Sequence, residues 1–131
     1  MGETRPGRGS KTLSYESSGE PTYSSKGTML QRPHIRFGTD GWRAIIGDDF
    51  TLENVKACAE AVARNLVSAG RSQQGLVVGF DTRHGSSQFA RAVVEVANSY
   101  GIPTHTFDVA APTPACSSAV VDHKAANGVM I

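Results

Sequence analysis

The sequence predicts an α/β protein with three layers, α/β/α, in which a mainly parallel sheet lies between helices, preceded by a disordered N-terminal tail. Strand-like apolar segments and amphipathic helical segments alternate three times between residues 34 and 131. This alternation is typical of parallel strands joined by helical crossovers. The apolar run at residues 76–80 does not alternate with polar residues, so we expect both faces of that strand to be covered.

Residues 35–37 and 42–46 are predicted to be short extended segments on either side of the turn GTDG at residues 38–41. Its Asp-Gly pair is a strong turn signal. The two glycines let backbone N–H groups approach a ligand closely, and Arg43 adds a permanently charged fork that suits phosphate. From spacing alone, however, the favoured interpretation is a plain hairpin with a surface arginine.

The first helix is predicted to follow the N-cap Thr51, because apolar residues then recur at helical spacing, and to stop at Gly70. The second helix follows a polar loop, with Ser86 or Ser87 as its cap, and ends at Gly101. Helix N-termini attract anions, but this loop has neither the P-loop nor the dinucleotide spacing.

Residues 104–109 form the next predicted strand. Thr113 is expected to cap the third helix, with Pro114 at its first position, and the helix to run to about residue 125. Residues 128–131 open another strand. Because ligands of such folds bind beyond the carboxyl ends of the strands, we expect any chemistry at that end of the sheet.

The chain divides into a tail, residues 1–33, and a domain, residues 34–131. Eighteen of the first 33 residues are Gly, Ser, Thr or Pro, and such a segment buries too little apolar surface to offset the entropy of ordering it. A translation start at Met29 is an alternative explanation of this composition break. A transit peptide is a further alternative, against which the three glutamates argue.

Composition excludes several classes of protein. A net charge of +1 leaves no strong basic field for nucleic acid, and no apolar run is long enough to span a membrane. The start lacks a secretory signal, so the cytoplasm is the default location. The histidines lack metal-ligand spacing. Cys58 is predicted to be a core thiol, and a nucleophilic role for Cys116 is not favoured because no partner base is evident.

The run FGTDGWRAIIGDDFTLENV resembles the opening of the phosphoglucomutase/phosphomannomutase family, the alpha-D-phosphohexomutases. The resemblance continues through VVGFDTRHGSSQFARAVVEV and then GIPTHTFDVAAPTPACSSAVVDHKAANGVMI. It covers essentially all of residues 34–131, in order, and leaves residues 1–33 outside. Several separate motifs agree with the predicted alternation, which makes the resemblance specific.

The resemblance implies domain I of a four-domain isomerase that moves a phosphoryl group between the 1 and 6 positions of a hexose phosphate. A phosphorylated serine donates its group, a bisphosphorylated sugar forms, and phosphate returns to the serine. Mg²⁺ holds the serine phosphate in the complete enzyme. This suits phosphoryl transfer, in which positioning and charge neutralisation dominate. The chain alone is expected to bind no Mg²⁺, since the resemblance assigns the magnesium-binding aspartates to a later domain.

Residue by residue, Arg43 matches the family arginine beside the serine phosphate, which implies electrostatic stabilisation as its catalytic role. Thr39, Asp40 and Gly41 match the turn that presents this arginine, and are expected to line the site. Asp81 and Arg83 match a motif that we interpret as mainly architectural, in which they pair with each other or with neighbouring loops and hold the turn.

The family serine lies in a loop directly after the strand at residues 128–131, and the sequence printed here ends at Ile131. We therefore expect the N-terminal part of a phosphohexomutase that is inactive alone, with the remaining domains in cis or in a separate chain. The alternative is a short non-catalytic module that binds sugar phosphate or pairs with another subunit. The sequence does not choose between hexose phosphates.

Overall fold

The computed structural model describes residues 35–131. The predicted tail at residues 1–33, with the alternative start at Met29, lies outside the described residues. The elements, in chain order, are β1 (Phe37–Gly38), β2 (Gly41–Trp42), α1 (Leu52–Ser68), a short 3₁₀ turn (Ser72–Gln74), β3 (Leu76–Gly79), α2 (Ser86–Ser99), β4 (Thr104–Thr106), α3 (Thr113–Asp122) and β5 (Asn127–Met130).

Strand β3 is the centre of a parallel sheet with the order β4-β3-β5. Leu76 and Val78 face one way into a core that α1 and α2 complete, whereas Val77 faces the other way into a smaller core beneath α3. All three side chains are buried, as successive residues of a doubly covered strand must be. The predicted three-layer α/β/α class is confirmed.

Helix α1 begins as the sequence predicts. The Thr51 side chain accepts a hydrogen bond from the backbone N–H of Asn54 at 3.2 Å, which satisfies one of the free donors of the first turn. The helix ends before Gly70, which adopts a positive φ of 68°. Its buried stripe faces β3 and α2 and consists of Val55, Ala59, Ala63 and Leu66. Cys58, expected in the core, is only half-buried.

The predicted caps of the other two helices are wrong, by one or two residues for α2 and by one residue for α3. Helix α2 follows Gly85, whose φ of 78° is a conformation that glycine adopts without strain. Ser86 is therefore already inside the helix, and its hydroxyl binds Asp81 instead. Helix α3 follows Pro112, whose carbonyl accepts from the N–H of Ala115 at 2.9 Å, so that Thr113 is the first helical residue.

Three predicted elements are shorter in the structure. Of the extended segment expected at residues 42–46, only Trp42 lies in a strand, β2. The strand expected at residues 104–109 covers only Thr104–Thr106, which pair with residues 76–78 of β3. The third helix ends at Asp122 rather than near residue 125. Within residues 35–131, no helix has the length and apolar character needed to cross a membrane.

Helix α3 packs closely on the sheet at Gly128, and this contact yields a stability prediction. A Cβ atom at position 128 would lie 2.7 Å from Cγ2 of Val120, a β-branched side chain that has little freedom to move. Gly128→Ala is therefore expected to lower the free energy of unfolding by about 1–3 kcal/mol, measured by urea denaturation.

The double variant Gly128→Ala/Val120→Ala provides the control. Removing the Val120 methyl groups makes room for the new Cβ, so the combined loss of stability should be smaller than the sum of the two single losses. Strict additivity of the three measurements would show that the clash at Gly128 does not limit packing.

Candidate functional site

The β1–β2 hairpin has two chemically different faces. Phe37 pairs with Trp42 and Gly38 with Gly41, so that residues 39–40 form a two-residue turn. Because side chains alternate along a strand, the two aromatic rings share one face. The other face, together with the turn, lines one open depression of about 330 Å³: Arg36, Gly38, Thr39, Asp40, Gly41 and Arg43.

Three aromatic rings hold the hairpin against the domain. The ring centroids of Trp42 and Phe50 lie 4.6 Å apart, and those of Phe50 and Phe89 lie 4.8 Å apart, edge to face. Offset and edge-to-face pairs of this kind stabilise a contact beyond the area that they bury. Phe89 is buried in the first turn of α2, so the hairpin is anchored beside the N-terminus of that helix.

The depression is lined by glycine backbone and by arginine side chains. Gly41 has a φ of 113°, and a Cβ placed there would meet no atom within 4 Å, so the space above the backbone is open. Arg43 is exposed, and within residues 35–131 its guanidinium has no hydrogen bond or ion pair. Within residues 35–131 this permanently charged fork has no partner and lies beside open glycine backbone, and such a fork is suited to bind an anion with several oxygens.

The structure brings the four predicted site residues, Thr39, Asp40, Gly41 and Arg43, to this one depression. The sequence expectation did not include Arg36, which lines the same depression. The signal was nevertheless present, because positions 36, 38, 41 and 43 fall on one face of a hairpin with a two-residue turn. The catalytic and lining roles implied for the predicted residues stay predictions.

The loop between β3 and α2 is held by Asp81. Its Oδ1 accepts the backbone N–H of Arg83 at 2.9 Å and the Ser86 hydroxyl at 2.7 Å, while Oδ2 lies 3.3 Å from Nε of Arg83. These hydrogen bonds stabilise the charged carboxylate and hold the pKa of Asp81 below its usual value. The backbone N–H of Arg83 has the larger effect and the Ser86 hydroxyl the next largest. The predicted pairing of Asp81 with Arg83 is confirmed.

This loop lies directly beside the residue that follows β5. The N–H of Asp81 donates to the carbonyl of Ile131 at 2.9 Å, and the N–H of Ile131 donates to Gly79 at 3.0 Å. The segment after β4 joins the same edge, since the N–H of Ala111 donates to Phe80 at 2.9 Å. The carboxyl ends of all three parallel strands are thus tied together, where ligands of such folds bind.

Cys116 is the buried residue of α3, and burial raises the pKa of its thiol. Less thiolate at neutral pH argues against a nucleophilic role, as the sequence suggested.

The rings of His105 and His123 stack with centroids 4.1 Å apart. Their distance in the sequence gives no sign of this contact. In the part of the chain that the structure describes, no group of three or more His, Cys, Asp or Glu side chains could hold a metal ion.

Residues 34–131 match the family model for phosphoglucomutase/phosphomannomutase, alpha/beta/alpha domain I. The chain belongs to this family. The chain is 37% identical over 110 residues to a Schizosaccharomyces pombe protein named as a probable phosphoribomutase, covering 79% of this chain and 18% of that protein. It is 41% identical over 96 residues to a phosphoglucosamine mutase of Salinispora arenicola, covering 72% and 21%.

A solved structure named for a phosphomannomutase of Thermus thermophilus superposes on the phosphohexomutase domain with a TM-score of 0.71. The two sequences are 39% identical, and the match covers 77% of this chain and 22% of that one. The chain therefore spans about a fifth of the length of the relatives that it matches.

Removing the Asp81 carboxylate should destabilise the phosphohexomutase domain. Asp81→Ala leaves the buried Ser86 hydroxyl without its partner, so we expect a loss of about 1–3 kcal/mol at pH 7. The folded pKa of Asp81 lies below the unfolded value, so this stabilisation is present above about pH 4 and disappears as the pH falls through the folded pKa.

Urea denaturation of the wild type and the variant from pH 7 to pH 2 measures this effect. Asp108→Ala is the matched control, because Asp108 is exposed and has no hydrogen bond or ion pair within residues 35–131. A stability difference between Asp81→Ala and wild type that is unchanged at low pH would contradict the assignment to the carboxylate.

Proposed function

We propose that this chain is the first domain of a phosphohexomutase and that Arg43 stabilises the phosphate carried by a serine of the complete enzyme. The observation that carries the proposal is the depression on the β1–β2 hairpin, where Arg43 lies beside open glycine backbone and its guanidinium has no partner within residues 35–131. The enzyme would be an isomerase that transfers a phosphoryl group within a hexose phosphate.

The anchoring of the hairpin supports this role for Arg43. In phosphoryl transfer, positioning and neutralisation of charge supply most of the rate enhancement. Trp42 contacts Phe50, which contacts Phe89, so the hairpin is held before any ligand arrives. Because Arg43 has no ion pair to break within residues 35–131, its charge is available to a phosphate.

Other parts of the enzyme would supply the nucleophile. The Ser86 hydroxyl donates to Asp81, and those of Ser99 and Ser117 donate to backbone carbonyls within their own helices. The residue beside Asp81 is Ile131, so a serine on a segment that follows β5 would enter at the edge where the three strands end. We propose that this segment and the magnesium-binding carboxylates lie outside residues 1–131, in cis or in a separate chain.

The relatives are named for different sugars, namely ribose, glucosamine, glucose and mannose. A domain shared by such proteins is better suited to bind their common phosphate than to select the sugar. We therefore assign phosphate handling to this domain and the choice of sugar to the rest of the enzyme. A non-catalytic module that binds sugar phosphate or pairs with a subunit is the competing function, and a domain exchange separates the two.

In the domain exchange, residues 34–131 replace the matching domain of the Thermus thermophilus relative. We expect this hybrid to convert mannose 1-phosphate to mannose 6-phosphate, and Arg43→Ala to lower kcat by about 100-fold or more through the loss of charge stabilisation. Arg91→Ala is the control, because Arg91 is exposed on α2 and has no partner within residues 35–131. A folded hybrid that is inactive, or one indifferent to Arg43, would refute the catalytic proposal.

The 131-residue chain by itself should show no conversion of glucose 1-phosphate to glucose 6-phosphate above the blank, even with Mg²⁺ and a sugar bisphosphate activator. Without a serine that carries the phosphate there is no covalent intermediate. A coupled dehydrogenase assay measures this directly. Turnover, or radiolabel transferred from the bisphosphate to a hydroxyl of this chain, would disprove it.

A further inference from the structure

Arg36 and Arg43 occupy matching positions on the two arms of the hairpin. Phe37 pairs with Trp42, and Arg36 and Arg43 are the residues one step further from the turn on each arm. Both line the depression whose floor is Gly38 and Gly41. Two guanidinium groups therefore flank one open stretch of glycine backbone.

This arrangement is unfavourable for the free protein. Like charges placed opposite each other on two strands destabilise the pairing, and within residues 35–131 neither guanidinium has an ion pair or hydrogen bond. Asp40 lines the same depression, yet it forms no ion pair with either arginine. The depression consequently carries a net positive charge that nothing in the described part of the chain neutralises.

A phosphate monoester would remove this imbalance. At neutral pH it carries a charge of about −1.5 to −2 and presents three oxygens that accept hydrogen bonds, which matches two cationic forks. Arginine binds such oxygens with two parallel N–H donors. The bare backbone at Gly38 and Gly41 leaves room for the phosphate between the forks.

We propose that Arg36 is a second phosphate-binding residue, so that the hairpin binds one phosphate dianion between the guanidinium groups of Arg36 and Arg43. This inference rests on the proposed function for the identity of the anion and adds a residue that the resemblance does not assign. It also explains why two like charges persist at the stem of so short a hairpin, since their repulsion is relieved when the phosphate binds.

The test titrates the full 131-residue chain with inorganic phosphate at constant ionic strength and follows the arginine Nε–Hε signals by NMR. The signals of Arg36 and Arg43 should shift together with one Kd. Arg36→Gln and Arg43→Gln should each weaken that Kd by about tenfold, the scale of a lost charge-assisted hydrogen bond. Arg36→Lys should recover only part of the affinity, because lysine keeps the charge but loses the fork. Arg91→Gln should change nothing.

Thermal unfolding gives a second, independent measurement. Without phosphate, Arg36→Gln should raise the Tm slightly, because it removes like-charge repulsion. When phosphate is added, the Tm of the wild type should rise more than that of the variant. Phosphate stabilises the folded state that binds it, and the wild type binds it more tightly. A role of Arg36 in folding alone would instead lower the Tm under both conditions.

The proposal is overturned if the Arg36 signal does not shift, if Arg36→Gln leaves the phosphate Kd unchanged, or if chloride or sulfate shifts every exposed arginine equally. The domain-exchange hybrid separates this failure from that of the proposed function. If the turnover of the hybrid depends on Arg43 but not on Arg36, the role proposed for Arg36 is refuted and the proposed function stands. If both arginines bind phosphate in the chain but the folded hybrid is inactive, the catalytic proposal is refuted and the phosphate-binding site stands.

Discussion

The burial of β3 on both faces is the constraint on which the rest of the domain depends. Val77 is 1% exposed, and its neighbours Leu76 and Val78 are covered from the opposite side. A strand whose side chains point alternately into two cores requires helices on both sides of the sheet. Because β3 also pairs with both other strands of the sheet, its end brings the loop after Gly79 next to Ile131 and to the segment after β4.

The hairpin depends on this core through aromatic contacts rather than through the sheet. Within residues 35–131, its four strand residues pair only with each other, and an isolated hairpin of that size is marginal in water. Trp42 and Phe50 connect it to Phe89, which lies in the main core. One face of the hairpin therefore provides rigidity, and the opposite face is left free to carry charge.

The charged side chains of the β3–α2 loop have partners within the described residues, whereas Arg43 of the β1–β2 hairpin does not. The Asp81 carboxylate accepts hydrogen bonds from the backbone N–H of Arg83 and the Ser86 hydroxyl, and forms an ion pair with the Arg83 side chain. These contacts stabilise the loop in which Asp81 lies. The Arg43 guanidinium has no partner within residues 35–131. A structural charge is satisfied internally, whereas a charge that binds ligand remains available. This availability is what the phosphate-binding role that we propose for Arg43 requires.

The sequence by itself determined the class of fold, the helix start at Thr51, the turn at residues 38–41 and the family, because these depend on local periodicity, turn chemistry and motif order. It placed the cap of α2 one or two residues away and that of α3 one residue away, since Gly85 and the Pro112 carbonyl take those roles only within the folded loops. It also omitted Arg36 from the site. Only the tertiary structure decided which faces of the hairpin are packed and which are free, because the contact between Phe50 and Phe89 joins residues far apart in the chain.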